Sequence, residues 1–164
     1  MNRPLERGIS LFELLLTLSI LTIVASFALP AMSTWIQQER HEATRDLLLT
    51  HLKAARTWSI ERRQTVVLCP LGDRGCGEDW SSGWQIRDSS NDDVLLRHTE
   101  LPPGLRLRWN RPGAITYRHN GTSAGLNGTL SLCGSNGREL SRIAINNQGR
   151  ARTLAARNDA SCLE

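Results

Sequence analysis

Two arginines stand two residues apart near the C-terminal end, in the segment Gly149-Arg150-Ala151-Arg152. Side chains two apart in an extended chain face the same side, so both guanidiniums could contact neighbouring phosphates. Gly149 would let the backbone turn there or approach another group closely. This spacing predicts a site for phosphate groups that carries little base specificity.

Positive charge is concentrated in the same part of the chain. Residues 104–157 hold nine arginines and one acid, a net charge of +8, whereas residues 64–103 hold three arginines and seven acids, a net charge of −4. Arginine is also the usual base throughout, with 19 arginines to one lysine, so composition explains part of the excess. The asymmetry predicts a basic surface suited to DNA, anionic lipid or an acidic partner. Further candidates for phosphate contacts are Arg138, Arg142 and Arg157.

One acid lies inside the apolar N-terminal segment. Between Ile9 and Leu29, a span of 21 residues, Glu13 is the only charged residue. Such a span is long enough to cross the ~30 Å hydrocarbon layer of a membrane as a helix. An ionisable group is costly in that setting and is usually functional.

The eight residues before this span are short and charged, which is typical of a processing segment. Arg3 and Arg7 favour an N-terminus in the cytoplasm, with the chain beyond the span exported. An ordinary secretory signal is disfavoured because an A-x-A-like cleavage site is missing and Pro30 would obstruct cleavage nearby. A plain membrane anchor, in which Glu13 is accidental, is the other alternative.

The four cysteines lie on the exported side, where thiols can oxidise. They are Cys69, Cys76, Cys133 and Cys162, and four cysteines allow three pairings. A zinc site is disfavoured because short C-x-x-C units are missing and the four histidines are scattered. We therefore expect no metal and no cofactor.

One segment, Gly121-Thr122-Ser123-Ala124-Gly125, fits the nucleophile pattern G-x-S-x-G. That chemistry needs a strand, a sharp turn and then a helix. Here a strand-like run containing Gly128 follows instead, and the chain is too short for an α/β hydrolase. We expect no catalytic residues and no enzyme activity.

The elements that carry these residues can be read from periodicity. A helix is expected from about residue 10 to 62, and its part beyond Pro30 has one apolar stripe. The stripe comprises Met32, Ile36, Ala43, Leu47, Ala54 and Trp58. After residue 63 seven short strands are expected, at 65–69, 84–87, 94–97, 105–109, 115–118, 129–133 and 141–145. Asn-Gly pairs at 120–121, 127–128 and 136–137 indicate turns.

The N-terminal segment resembles the class III signal of type IV pilins and type II secretion pseudopilins. Three positions carry the resemblance: Gly8, Glu13 as fifth residue after it, and Pro30 as twenty-second. The resemblance implies that prepilin peptidase cleaves after Gly8 and that Ile9 becomes the methylated N-terminus. It also implies that Glu13 pairs with the N-terminal amine of a neighbouring subunit during filament assembly.

The exported part is similar to the GspH/FimT family, and above all to FimT-like minor pilins that bind DNA. The similarity rests on Leu68-Cys69-Pro70, on Trp80-x-x-Gly83-Trp84, on Cys133 followed by the segment Ile143 to Arg152, and on the G-R-x-R motif. It implies Cys69–Cys76 and Cys133–Cys162 disulfides, and double-stranded DNA held by Arg150 and Arg152. A solvated β-hairpin or a filament contact is the alternative reading of that motif.

The sequence therefore predicts an α+β, type IV pilin-like chain, in which a long N-terminal helix with a transmembrane first half packs on a C-terminal antiparallel β-rich domain. The expected segments are a leader (1–8), a transmembrane half-helix (9–29), an amphipathic half-helix (30–63) and a periplasmic or extracellular β-rich domain (64–164). The predicted function is that of a minor pilin that captures DNA for natural transformation. Its partners would be other pilins, prepilin peptidase, the inner membrane and DNA. A structural minor pilin that does not bind DNA, or a GspH-like pseudopilin of type II secretion, remains an alternative.

Overall fold

The long N-terminal helix predicted from the sequence is present. A computed structural model describes residues 10–73, 75–157 and 162 of the chain, and in it helix α1 runs from Leu11 to Glu61. The chain divides after Glu39 into two compact units, so α1 contributes residues to both. The predicted cleavage site, Gly8 and Ile9, lies outside the described residues.

In the first unit, α1 carries a segment that is long and apolar enough to cross a membrane. This segment is Leu11–Leu29, with 19 residues and a mean hydropathy of 2.1. Four hydroxyls within it, those of Thr17, Ser19, Thr22 and Ser26, donate to helix carbonyls three or four residues back. These bonds satisfy the hydroxyls without water. The carboxyl group of Glu13 makes no such bond within the described residues.

In the second unit, the buried face of α1 differs from the predicted stripe. Its members are Thr44, Leu48, Leu52, Ala55 and Ser59, whereas the predicted residues Ala43 and Leu47 are exposed. Two members are polar, but the Thr44 hydroxyl donates to the Arg40 carbonyl at 2.8 Å and the Ser59 hydroxyl to the Arg56 carbonyl at 2.7 Å. Because these hydroxyls are satisfied within the helix, they can be buried, and a pattern of apolar residues alone misses them.

Two four-stranded antiparallel sheets follow α1. The strands are β1 (Val66–Pro70), β2 (Gly83–Asp88), β3 (Val94–Thr99), β4 (Arg106–Trp109), β5 (Ile115–Tyr117), β6 (Gly128–Cys133), β7 (Glu139–Ile145) and β8 (Ala151–Ala155). The first sheet has the order β3-β2-β1-β5 and the second β4-β6-β7-β8. The seven predicted strands and the α+β class are confirmed. Strand β8 was not predicted, because an exposed edge strand lacks the alternation of apolar and polar residues.

One hydrophobic cluster joins the helix to both sheets. Leu48 and Leu52 of α1 contribute to it, together with Trp84 of the first sheet and Leu130 and Ile143 of the second. All five side chains are at most 2% exposed. Burial of a side chain of this size stabilises the folded state by about 1.5–3 kcal/mol. The predicted packing of the helix on the β-rich domain is confirmed.

Both disulfides implied by the family resemblance are present, Cys69–Cys76 and Cys133–Cys162. The second joins the end of β6 to the C-terminal tail across a sequence separation of 29 residues. The backbone N–H of Cys162 also donates to the Gly137 carbonyl at 2.9 Å. Closing a loop of this length stabilises the fold by roughly 3–4 kcal/mol, chiefly through the unfolded chain.

Two histidines meet a buried tryptophan where α1 contacts the first sheet. The indole N–H of Trp84, a fully buried residue, donates to Nδ1 of His51 at 2.9 Å, and the His98 ring lies 4.1 Å from the Trp84 ring. Burial lowers the pKa of His51, and the proximity of His98 lowers it further. Burial also lowers the pKa of His98. Both shifts favour the neutral rings, and a neutral His51 can accept through Nδ1.

This cluster makes the stability of the fold depend on pH. Both histidines bind protons less readily in the folded than in the unfolded chain, so stability is complete above the unfolded pKa of about 6.5 and falls as the pH drops below it. We expect the urea midpoint, followed by tryptophan fluorescence, to fall between about pH 7.5 and about pH 5.5. In His51→Asn the amide oxygen can still accept from Trp84 but does not titrate, so the dependence should become shallower. An unchanged slope in this variant would exclude His51 as a source.

Candidate nucleic-acid interface

The predicted arginine pair lies at the β7–β8 hairpin. Its turn is closed by the Gly149 N–H, which donates to the Asn146 carbonyl at 2.8 Å, and by the Asn146 N–H, which donates to the Arg150 carbonyl at 3.2 Å. Arg150 belongs to this turn, whereas Arg152 lies in β8 opposite Ala144. The sequence predicted an extended chain for both arginines, and in the structure Arg152 lies in β8 while Arg150 lies just before it.

Both arginines nevertheless line the same cleft in the second sheet. The cleft has a volume of about 650 Å³, and its lining residues are Asn110, Asn127, Gly128, Thr129, Ala144, Ile145, Asn146, Arg150, Ala151 and Arg152. Among these lining residues none is acidic. Arg150 and Arg152 are exposed, and their guanidiniums have no hydrogen bond or ion pair within the described part of the chain. Their N–H groups are therefore available to an anionic ligand.

Arg150 also borders a second cleft, which lies against α1. This cleft has a volume of about 460 Å³ and is lined by Lys53, Arg56, Thr57, Ile60, Gly149, Arg150 and Ala151. Lys53 is exposed and adds another positive charge beside the turn. The sequence analysis missed Lys53 and Arg56 because only the folded chain brings α1 next to residue 150.

Gly149 is required by the way the turn packs. Its φ is +76°, in the left-handed region, and an added Cβ would collide with the Gly121 carbonyl oxygen. Nε of Arg56, on α1, donates to that same oxygen at 3.0 Å. The turn, the loop containing Gly121 and the helix therefore meet at one carbonyl group, which fixes the backbone that precedes Arg150.

Ser123, from the G-x-S-x-G pattern, holds the same turn from the other side. It is completely buried, and its hydroxyl lies 2.8 Å from the carbonyl oxygens of both Leu126 and Asn146. Its backbone N–H donates to the Asn147 carbonyl at 3.2 Å. Ser123 stands in a loop between two strands, which is not the setting of a nucleophile elbow. Its hydroxyl links that loop to the turn through the hydrogen bond to Asn146.

The remaining candidate arginines lie in different surroundings. Arg138 and Arg157 are exposed. Arg142 donates from Nε and Nη2 to the Ala155 carbonyl at 3.0 and 2.9 Å, and its Nε lies 3.2 Å from the buried carboxylate of Glu139. These contacts hold the Arg142 side chain in place and leave fewer of its N–H groups for a ligand. None of the three lines either cleft.

Asn127-Gly128 is not a turn, contrary to the sequence-based prediction. The turn of this loop is at Ala124 and Gly125, which both have positive φ, and Gly128 already belongs to β6. A Cβ on Gly128 would collide with the ring of Trp109. The glycine is therefore required by tertiary packing beneath the cleft rather than by local turn geometry. The pairs at 120–121 and 136–137 do end in glycines with positive φ, as predicted.

Comparison with known families gives one match that covers most of the chain. The family described as "Type II transport protein GspH" matches residues 44–149. The match includes Gly149 and ends one residue before Arg150. No curated protein matches the chain.

Solved structures with a similar fold include type IV minor pilins and a minor pseudopilin. The minor pilin FimU of Pseudomonas aeruginosa strain PAO1, in one crystal form, has 19% identity and a TM-score of 0.63, over 77% of this chain and 97% of FimU. In another crystal form the identity is 22% and the TM-score 0.58, over 76% of this chain and 98% of FimU. The minor pseudopilin EpsH of the Vibrio cholerae type II secretion system has 15% identity and a TM-score of 0.54, over 71% of this chain and 97% of EpsH. The fold is therefore that of a type IV pilin.

The contact between Gly149 and Gly121 can be tested with a matched pair of substitutions. Gly149→Ala combines a strained φ with a collision against backbone, so it should destabilise the fold by about 2–4 kcal/mol. Gly113→Ala meets the same strain, with φ of +75°, but its Cβ would have nothing within 4 Å. We expect that control to cost about 1 kcal/mol in urea denaturation. Equal losses in the two variants would contradict the proposed close contact.

Proposed function

Because the chain belongs to the GspH family and has the type IV pilin fold, we propose that it is a minor pilin of a bacterial type IV pilus that binds double-stranded DNA for natural transformation. Family and fold make it a minor pilin or pseudopilin. The DNA-binding part of the proposal rests on one observation: the guanidiniums of Arg150 and Arg152 have no partner among the described residues, and the cleft that they line has no acidic lining residue.

Arg150 and Arg152 would contact phosphate oxygens of the DNA backbone. Guanidinium groups suit this task because they carry a permanent charge and several N–H donors in a fixed plane. Gly149 would keep Arg150 in place through the rigid turn. Arg138 and Arg157 would add exposed positive charge, and Arg142 would add charge with fewer free donors. Phosphate contacts of this kind confer affinity for DNA of any sequence.

The N-terminal segment would anchor the subunit and then join the filament. In this proposal prepilin peptidase cleaves after Gly8, Ile9 is methylated, and α1 spans the inner membrane with the remainder exported. Glu13 would pair with the N-terminal amine of a neighbouring pilin, because a carboxylate and an amine are both costly to bury alone in an apolar medium. Pro30 would belong to the same helical assembly segment.

A second candidate function is that of a minor pseudopilin in type II secretion. It is favoured by the description of the matching family, which refers to type II transport. Its partners would be other pseudopilins, and the arginine pair would then contact a protein rather than DNA. A structural minor pilin, whose hairpin contacts another filament subunit, would likewise not bind DNA. DNA binding therefore separates the first candidate from both alternatives.

The DNA proposal predicts a specific loss in the variant Arg150→Gln/Arg152→Gln. The full chain in a non-ionic detergent should bind short DNA duplexes of different sequence with similar affinity at about 100 mM salt. The double variant should bind all of them more weakly, and the slope of log affinity against log salt should decrease by about two, one unit for each lost phosphate contact. Fluorescence anisotropy of labelled duplexes measures both quantities.

The matched control is Arg62→Gln/Arg97→Gln, which removes two exposed arginines that line neither cleft. It lowers the net charge equally and should leave the affinity within about twofold and the slope within about one unit. If both double variants lose affinity equally, binding depends on overall charge rather than on this motif. If the unaltered chain does not bind, the DNA proposal is wrong.

The assembly proposal predicts that Glu13→Ala reaches the membrane but is poorly incorporated into pili. Removing the carboxylate lowers the cost of the helix in lipid, so insertion should be normal. The N-terminal amine of a neighbouring subunit would lose its partner, so the amount recovered in sheared filaments should fall severalfold. Glu39→Ala, an acid of the same helix outside the apolar span, is the control and should be recovered normally. Equal recovery of both variants would rule out the pairing role.

A further inference from the structure

Three asparagines line the cleft of the second sheet together with Arg150 and Arg152. They come from different parts of the chain: Asn110 follows β4, Asn127 precedes β6, and Asn146 follows β7. All three are exposed. The fold thus brings three side-chain amides to the cleft that the two arginines line.

The orientation of each amide is fixed by a backbone donor. Oδ1 of Asn110 accepts from the Thr129 N–H at 2.7 Å, Oδ1 of Asn127 from the Asn147 N–H at 2.8 Å, and Oδ1 of Asn146 from the Arg150 N–H at 2.9 Å. A backbone N–H can only donate, so the oxygen of each side chain must occupy that position. The nitrogen of each amide, Nδ2, consequently occupies the other position. They have no acceptor among the described residues.

The cleft therefore presents side-chain N–H donors from five residues. We infer that the amide groups of Asn110, Asn127 and Asn146 form a binding subsite for the phosphate oxygens of a nucleic-acid backbone, beside Arg150 and Arg152. This inference rests on the proposed DNA-binding function and adds residues outside the G-R-x-R motif. Phosphate oxygens fit the subsite because they are strong acceptors, which matches the N–H donors of the two guanidiniums and three amides.

The same hydrogen bonds disfavour one common role of asparagine in DNA recognition. A bidentate contact to adenine uses the amide oxygen and the amide nitrogen together. Here each oxygen already accepts from a backbone N–H that fixes the amide, so we expect the nitrogen to make the contact to a ligand. The subsite therefore adds affinity without base preference, and its contribution should be the same on duplexes of any composition.

An Asn→Asp substitution tests the subsite with little change of shape. Aspartate keeps an oxygen for the backbone N–H but replaces the NH2 donor by a carboxylate oxygen. We expect Asn110→Asp and Asn127→Asp in the full chain, solubilised in non-ionic detergent, to weaken binding of short duplexes at least tenfold each. The loss should be equal on A·T-rich and G·C-rich duplexes. The urea midpoint of each variant should remain near that of the unaltered chain.

Asn120→Asp is the matched control. Oδ1 of Asn120 also accepts from a backbone N–H, that of Thr122 at 3.1 Å, and from the Thr122 hydroxyl at 2.7 Å, but Asn120 does not line the cleft. The control lowers the net charge equally, and we expect its affinity to stay within about twofold of the unaltered chain. A cleft variant that loses no more than this control would overturn the subsite, as would a loss confined to one duplex composition.

The outcomes also separate this inference from the proposed function. If Arg150→Gln/Arg152→Gln weakens binding while the cleft asparagine variants match Asn120→Asp, the DNA function stands and the subsite is wrong. If the unaltered chain binds no duplex, both are wrong, and the cleft is then better explained as a protein contact. A larger loss in the cleft variants than in the control, with unchanged stability, supports both.

Discussion

The candidate interface depends on the contact between the β7–β8 turn and the loop that precedes β6. Gly149 packs directly on the Gly121 carbonyl, and the Arg56 side chain of α1 binds the same oxygen. On the other side of the turn, the Ser123 hydroxyl reaches the Asn146 carbonyl. These contacts leave little freedom to the turn, so Arg150 is presented to solvent on a rigid backbone. A rigid platform lowers the entropy cost of ordering a side chain against a ligand.

The composition of the sheets explains why this rigid turn is also electropositive. The chain segment that forms the second sheet carries nearly all of the excess positive charge, whereas the segment of β1–β3 is acidic. Glu139, the one acid between residues 104 and 157, is buried against Arg142. Its charge is therefore offset within the protein, and the cleft at Arg150 and Arg152 faces solvent with positive charge only.

Most elements of the fold could be predicted from local patterns, and the exceptions have tertiary causes. Seven strands follow from their alternation or apolar runs, but the edge strand Ala151–Ala155 has neither. The buried face of α1 was assigned wrongly because Thr44 and Ser59 are buried with their hydroxyls bound to helix carbonyls. Gly128 was predicted to be part of a turn, although it is constrained by the ring of Trp109, which is distant in sequence but close in the fold.

For the site, sequence spacing identified Arg150 and Arg152 but not the mechanism that brings them together. Both were expected on one side of an extended chain, and the structure places one in a turn and the other in a strand, where both line one cleft. Lys53, Asn110 and Asn127 lie far from the motif in sequence, and Asn146 lies three residues before it, but no periodic pattern marks any of them. Only their hydrogen bonds in the folded chain reveal that the oxygen of each amide already accepts from a backbone N–H.

The central claim, that DNA binds in the cleft of the second sheet, is tested most directly by amide hydrogen exchange of the full chain with and without duplex DNA. The account predicts slower exchange in the DNA complex at Asn146–Ala155 and near Asn110 and Asn127. It predicts no change in β3, which lies at the edge of the other sheet. Protection confined to β3, or no protection at the cleft when the DNA is bound, would contradict the account.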